Sequence, residues 1–415
     1  MDLHSLYLHI PFCIHRCGYC DFNTYAGQES LIPAYSAALC AEIKQSADSA
    51  GGRLPVHTIF FGGGTPSLLP LPELERILQA LYASFEIQPT AEISLEANPG
   101  TLSAEYLSGL RSLGFNRLSL GVQSAHPAEL RLLERIHDYP SVIQSVRWAR
   151  RAGFDNLNLD LIFGLPDQRL ETWQRTLELT AGLHPEHFSL YAFSLEHGTP
   201  FSRWAGRGLL SVPDPDLAAD MYEWACERLD LLNYAQYEIS NWAAVSRRDV
   251  LSPPDGLYPP TSPALACRHN LQYWRNLPYL GFGAGAHGYA AAYRTANVLA
   301  PAAYIQRLQH PAAEPPSFPS TSATQTLTPI DQETEIGETM MMGLRLTRAG
   351  ISESAFQSRF GRSLEQVFSA QIQHYTQAGL LEWVSLPDWA DDDGRRLRLT
   401  PRGRLLGNQV FAAFI

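Results

Sequence analysis

Tyr7-Leu8-His9-Ile10-Pro11-Phe12-Cys13-Ile14-His15-Arg16-Cys17-Gly18-Tyr19-Cys20-Asp21-Phe22 is the stretch around which the rest of the chain is read. A short apolar, strand-like run leads into three of the chain's six cysteines, gathered within eight residues in the spacing CxxxCxxC. Three thiolates on a tight loop can hold three irons of a [4Fe–4S] cube and leave the fourth iron open to an exchangeable ligand, whereas a closed cluster or a structural zinc site takes four protein ligands. A zinc site completed by His9 or His15, or a set of buried thiols, are the other readings of the same spacing.

Working outward, strand-like runs recur at Tyr7 to Ile10, His57 to Phe61, Glu92 to Leu95, Arg117 to Leu120, Asn156 to Ile162 and Phe188 to Phe193. Helical patterns fall between them near Ile32 to Ser46, Leu71 to Phe85, Ala104 to Leu113, Pro127 to Glu134, Ser141 to Ala152 and Leu170 to Leu183. Strands alternating with helices predict an α/β fold with a parallel sheet and right-handed crossovers. Polar or glycine-rich residues follow each strand: the cysteine loop, Gly62-Gly63-Gly64-Thr65-Pro66, Glu96-Ala97-Asn98-Pro99, Gly121-Val122-Gln123-Ser124, Asp160 with Gly164-Leu165-Pro166, and Tyr191-Ala192. Such a shared rim is the arrangement of a (β/α) barrel, and six repeats rather than eight predict a partial (β/α)6 barrel.

CxxxCxxC with an aromatic before the third cysteine resembles the radical S-adenosylmethionine (SAM) superfamily. The wider string Tyr-x-His-Ile-Pro-Phe-Cys is similar to one branch of it, the oxygen-independent coproporphyrinogen III oxidases and the HemW-type haem chaperones. The resemblance implies that Cys13, Cys17 and Cys20 bind the cluster and that SAM sits at the open iron. Gly63, Gly64 and Thr65 would receive the methionine amino group, as glycines that admit a ligand close to the backbone; a strained strand-to-helix turn is the plainer reading. Glu96 would bind the SAM ribose or amine, Gln123 the ribose and Arg135 the carboxylate, while Tyr7, Asp160 and Ala192 would line the same pocket. Asp160 also stands out by itself, because a carboxylate inside Leu159-Asp160-Leu161 is expensive to bury without a partner. For Tyr7 the plainer reading is a packed strand aromatic.

Beyond the six repeats, Asp214 to Asn233 reads as an amphipathic helix and Tyr234 to Trp242 as a strand-like run similar to the family's Tyr-Glu-Ile-Ser-Asn. Residues 246–266 change composition abruptly, with prolines that no helix or central strand tolerates, and read as a variable surface excursion. Cys267-Arg268-His269-Asn270-Leu271-Gln272-Tyr273-Trp274 follows. His-Asn-x-x-Tyr-Trp resembles the HemW-type chaperones, and imidazole is a common axial ligand of haem iron; His269 is therefore the haem-ligand candidate, with a satisfied structural histidine as the alternative. His287, in the glycine-rich Gly281 to Gly288, is expected on a ligand-side loop. The Pro-, Ser- and Thr-rich residues 311–328 read as a linker. Residues 329–415 carry three helical patterns, two short strands and a final helix, a winged-helix-like α+β module. Its Asp391-Asp392-Asp393 tip would repel phosphates, which assigns it a lid or docking role rather than DNA binding. The expected domains are thus a barrel with its haem-site extension over 1–310, the linker, and the small domain.

A net charge of -11 and a pI near 5.6 argue against nucleic acid as partner. No export signal and no membrane-spanning run are visible, so the expected location is the cytoplasm. Three functions fit: a haem chaperone carrying the cluster and SAM, an oxygen-independent coproporphyrinogen III oxidase, and a non-catalytic iron–sulfur protein. The oxidases resemble this chain but have a further cysteine where Phe22 stands, and they carry an N-terminal extension where only six residues precede Tyr7. Both departures favour the chaperone. The resemblance also implies a haem-accepting partner, a membrane-bound respiratory protein, and a low-potential electron donor such as flavodoxin or ferredoxin.

Overall fold

The computed structural model describes residues 3–245, 263–310, 316–385 and 394–415. Most of the proline-rich excursion, 246–262, and the Asp391-Asp392-Asp393 tip lie outside the described residues. The chain forms two compact units, one of residues 1–225 with 278–329 and one of 226–277 with 330–415. The expected boundary at residue 310 is therefore placed differently, because Cys226–Leu277 groups with the C-terminal part.

In the first unit, six strands run parallel in chain order: β1 His4–Ile10, β2 Pro55–Gly63, β3 Glu86–Ala97, β4 Arg117–Gln123, β5 Leu157–Phe163 and β6 His187–Ala192. Their apolar runs follow from burial on both faces, as parallel sheets require; Leu6, Leu8, Ile10, Ile59, Phe61, Leu95, Leu118, Leu120, Leu157, Leu159 and Leu161 are all fully buried. Between the strands lie helices α1 Ile32–Ser49, α2 Leu71–Ser84, α3 Ala104–Ser112, α4 Pro127–Leu132, α5 Tyr139–Arg151 and α6 Leu170–Ala181. Local chemistry starts them. Ser103 and Asp138 accept hydrogen bonds from the Tyr106 and Ser141 amides, satisfying orphan first-turn donors.

The sheet does not end at β1. Tyr279–Phe282 pairs parallel with β1, and His287–Ala290, Tyr293–Asn297 and Thr324–Pro329 continue it antiparallel. These four strands correct two expectations. Gly281 to Gly288 is two strands joined by a tight turn rather than a ligand-side loop, and the last third of the expected linker is a strand. Gly283 explains the first: with φ +103°, a Cβ there would lie 2.5 Å from the His9 carbonyl oxygen and 2.6 Å from the Tyr35 hydroxyl. The second follows from pairing alone, since β-strand register hides in a Thr-rich stretch whose side chains are mostly exposed.

Glu42 of α1, only 1% exposed, fastens this extension. Its carboxylate accepts from the Gly283 amide at 2.8 Å, Asn297 Nδ2 at 2.7 Å, the Tyr304 hydroxyl at 2.6 Å and the Thr321 hydroxyl at 2.9 Å. In the second unit, helices Gln332–Gly343, Glu353–Phe360 and Leu364–Gln377 pack with a three-stranded sheet of Ile351–Ser352, Arg395–Leu399 and Leu381–Ser385 around Met340, Phe356, Leu364, Leu397 and Phe411. Helices followed by a small hairpin are the winged-helix-like pattern expected. Tyr234 to Trp242, read as one strand, is a hairpin of Tyr234–Glu238 against Asn241–Ala244.

Candidate metal and cofactor site

The carboxyl ends of β1 to β6 surround a cleft of ≈ 500 Å³. Parallel strands bring their C-terminal residues to one side, so a site assembled from six loops follows directly from the topology. Cys13, Cys17 and Cys20 line it together with Gly63, Gly64, Thr65, Glu96, Gln123, Arg135, Asp160 and Ala192. Eleven of the thirteen residues singled out from sequence thus gather here; Tyr7 and His269 are not among the cleft-lining residues.

All six cysteines are free thiols. The Thr65 hydroxyl donates to Cys13 Sγ at 3.6 Å, and the Gly64 and Thr65 amides donate to the Ile10 and Phe12 carbonyls at 2.8 Å. The glycine turn therefore grips the chain just before the first cysteine. Gly64 has no room for a side chain, since a Cβ would stand 2.7 Å from the Phe12 carbonyl oxygen and 3.0 Å from Cys13 Sγ. Burial pushes the Cys13 and Cys17 thiols up, and the Arg135 guanidinium opposes this, more strongly at Cys17.

Two half-buried acids line the cleft. Glu96 Oε2 accepts from the Gly63 amide at 3.1 Å. Burial first and the Asp160 charge second push the Glu96 carboxyl up to about 8, with the Gly63 amide and the buried Arg117 opposing them. Asp160 accepts from the Ser119 hydroxyl at 2.7 Å and from Asn158 Nδ2 at 2.8 Å; burial raises its carboxyl too, against these donors. Asn158 and Asp160, two apart on β5, share one face of the strand, a pairing legible in Leu157-Asn158-Leu159-Asp160 but not drawn from it.

Two features mark the cleft wall as built for a ligand. Gln123 has φ +65°, a left-handed conformation that a residue with a side chain adopts at a cost. Arg135 donates to the Gly121 carbonyl at 2.9 Å, yet its buried Nε has no hydrogen-bond partner among the described residues. An unpartnered guanidinium nitrogen in a cleft fits an anionic group. The three free thiols around the same cleft fit iron, so the residues present suit a cluster and a carboxylate-bearing ligand together.

Tyr7 does not line the cleft. Its hydroxyl pairs with His9 Nδ1 at 3.0 Å, and burial, with the Glu96 charge second, pushes the phenol up. His9 uses its other nitrogen on the Asn23 carbonyl at 2.9 Å, and His15 Nε2 pairs with Glu134 at 2.8 Å. Both histidines of the zinc reading are thus engaged elsewhere. Among the described residues no three His, Cys, Asp or Glu side chains are grouped to hold a single ion, an arrangement a cube does not need because each thiolate takes its own iron. His269 lies in the second unit on helix Arg268–Trp274, 1% exposed, with Nε2 on the Tyr273 hydroxyl at 2.9 Å. His287 opens a strand and is not among the cleft residues. Sequence reading missed Glu134 and Ile136, and it drew nothing from the apolar edge of the cleft: Ile14, Phe22, Ile136 and Tyr191 line the cleft and are 53%, 64%, 49% and 44% exposed.

Residues 7–180 match the model of the Radical SAM superfamily, and residues 330–406 match that of the HemN C-terminal domain. The solved structure of coproporphyrinogen III oxidase (HemN) from Escherichia coli, a radical SAM enzyme, covers 100% of this chain and 90% of its own with a TM-score of 0.78 at 24% identity, a likeness of fold. Fold and site together define a radical SAM protein, and that superfamily implies a [4Fe–4S] cluster and SAM. The heme chaperone HemW of Bacillus subtilis (strain 168) is 36% identical over 414 residues, 99% of either chain, and that of Escherichia coli (strain K12) is 38% identical over 286 residues, 68% of this chain and 69% of its own. The chain belongs to the HemW family. No described helix is long and apolar enough to cross a membrane.

Proposed function

We propose that the chain binds haem and delivers it to an acceptor protein, and that it carries a [4Fe–4S] cluster on Cys13, Cys17 and Cys20. The observation that carries this reading is the end-to-end similarity to proteins named heme chaperones. When bound, the cluster supplies one-electron chemistry and an iron with an exchangeable position for SAM. The chain's own residues do the rest. Glu96 and Asp160 present two acids whose raised carboxyls a cationic ligand would draw toward ionisation, Arg135 Nε offers a donor to its carboxylate, and the bare Gly63 and Gly64 backbone admits it closely. The exposed apolar edge of Ile14, Phe22, Ile136 and Tyr191 suits a flat apolar molecule such as a porphyrin.

His269 would hold the haem iron through an imidazole nitrogen; its Nε2 is paired with the Tyr273 hydroxyl at 2.9 Å. The acceptor is a membrane-bound respiratory haem protein, electrons come from a flavodoxin or ferredoxin, and the working location is the cytoplasm. Haem titration of the anaerobically reconstituted protein, followed at the Soret band, tests the reading. Saturation at one haem per chain, weakened in His269→Ala, is expected. Unchanged binding in His269→Ala removes that ligand, and no saturable binding overturns the chaperone reading in favour of a test for coproporphyrinogen decarboxylation.

A further inference from the structure

Helix α4 ends in a Schellman turn: the Arg135 amide donates to the Leu130 carbonyl at 2.9 Å and the Glu134 amide to the Arg131 carbonyl at 3.1 Å. The residue between them must be left-handed, and Glu134 has φ +53°. Glycine is the usual occupant of that position, since it alone bears the conformation without strain. A glutamate there needs a compensating contact.

The contact is with the cysteine loop. Glu134 Oε2 accepts from the Gly18 amide at 2.9 Å and pairs with His15 Nε2 at 2.8 Å, while the Glu134 carbonyl faces Cys17 Sγ at 3.9 Å. On its other side the Gly18 carbonyl accepts from the Phe201 amide at 3.0 Å. Gly18 has no space for a side chain, since a Cβ would meet the Phe201 ring at 2.7 Å. The loop between the first and third cysteines is therefore held from two directions, and among the described residues its side-chain hydrogen-bond anchor at Gly18 is a glutamate in a left-handed turn beside Arg135. No resemblance or motif assigned Glu134 a role.

We propose that Glu134 is a positioning residue for the iron–sulfur cluster: it fixes the Cys17-Gly18 segment before the cluster arrives and holds it in place afterwards. This rests on the cluster assignment and is independent of haem binding. A residue kept only for its helix end would behave in the opposite way, because glycine serves that end better.

Glu134→Gly and Glu134→Gln separate the two roles. Glu134→Gly relieves the left-handed backbone, so the apo chain melts at or above the wild-type temperature. Hydrogen exchange over residues 13–22 of the same apo chain rises by about tenfold, the scale of one lost charge-assisted hydrogen bond. Iron release from the reconstituted protein to a chelator quickens with it. Glu134→Gln keeps an oxygen for the Gly18 amide and falls between. Unchanged exchange in the apo Glu134→Gly chain overturns the proposal whether or not the cluster loads. So does a lowered melting temperature that accounts for the faster exchange, which would make Glu134 an ordinary structural residue.

Discussion

Two carboxylates in the same unit, one buried and one half-buried, have opposite surroundings. Glu42, behind the sheet, accepts four hydrogen bonds from four separate segments. Glu96, at the cleft floor, accepts one from Gly63 and faces a second acid, Asp160. Burial raises both carboxyls, but at Glu42 every further influence of the surrounding donors opposes it, whereas at Glu96 the nearest charge adds to it. A satisfied buried acid ties elements together; an under-satisfied one stores an electrostatic demand that a cationic ligand can meet. Glu42 is satisfied within the fold, whereas Glu96 is left with one donor and a neighbouring acid.

The largest effect expected of this division is at the cleft. Cys13→Ala, Cys17→Ala and Cys20→Ala each abolish the broad iron–sulfur absorption after anaerobic reconstitution while leaving urea unfolding of the apo chain nearly unchanged. Intact cluster spectra in all three variants would break the comparison at its functional end.

Next comes Glu42→Ala, which leaves the Gly283 amide, Asn297, Tyr304 and Thr321 without their shared acceptor. It should cost about 3 kcal/mol in urea unfolding, the scale of buried donors left unsatisfied beside a lost charged partner. SAM affinity should be unchanged. A cost under about 1 kcal/mol would show that the network is dispensable.

The last effect is a pH slope. The Glu96 carboxyl is raised from the ordinary 4.5 to about 8 in the folded chain. Its proton therefore favours the folded state: the contribution is complete below the unfolded value and is lost as pH climbs through about 8. Glu96→Gln should flatten the decline of apo stability between those limits. In the wild type, SAM, which carries ammonium and sulfonium charges, should release protons from the site near pH 7, read from calorimetry in two buffers of different ionisation enthalpy. Equal heats in both buffers would place the Glu96 proton elsewhere.

Much of the site was legible because it is local. CxxxCxxC, the triple glycine and Asp160 each sit within a few residues of a strand end, and parallel topology gathers strand ends without further instruction. The extension was misread for the reverse reason. Tyr279–Phe282 and Thr324–Pro329 are short, and Glu42 meets its partners across 241 to 279 residues of sequence.

By itself, then, the sequence determined the six parallel repeats, the three-thiol loop and the rim that bears them, since hydrophobic period and ligand spacing act over a few residues. Tertiary structure alone decided which acid is satisfied and which is not, which segments form the second unit, and that a glutamate in a left-handed turn reaches the cysteine loop. Those are matters of what approaches a side chain from distant parts of the chain, and no local pattern carries that information.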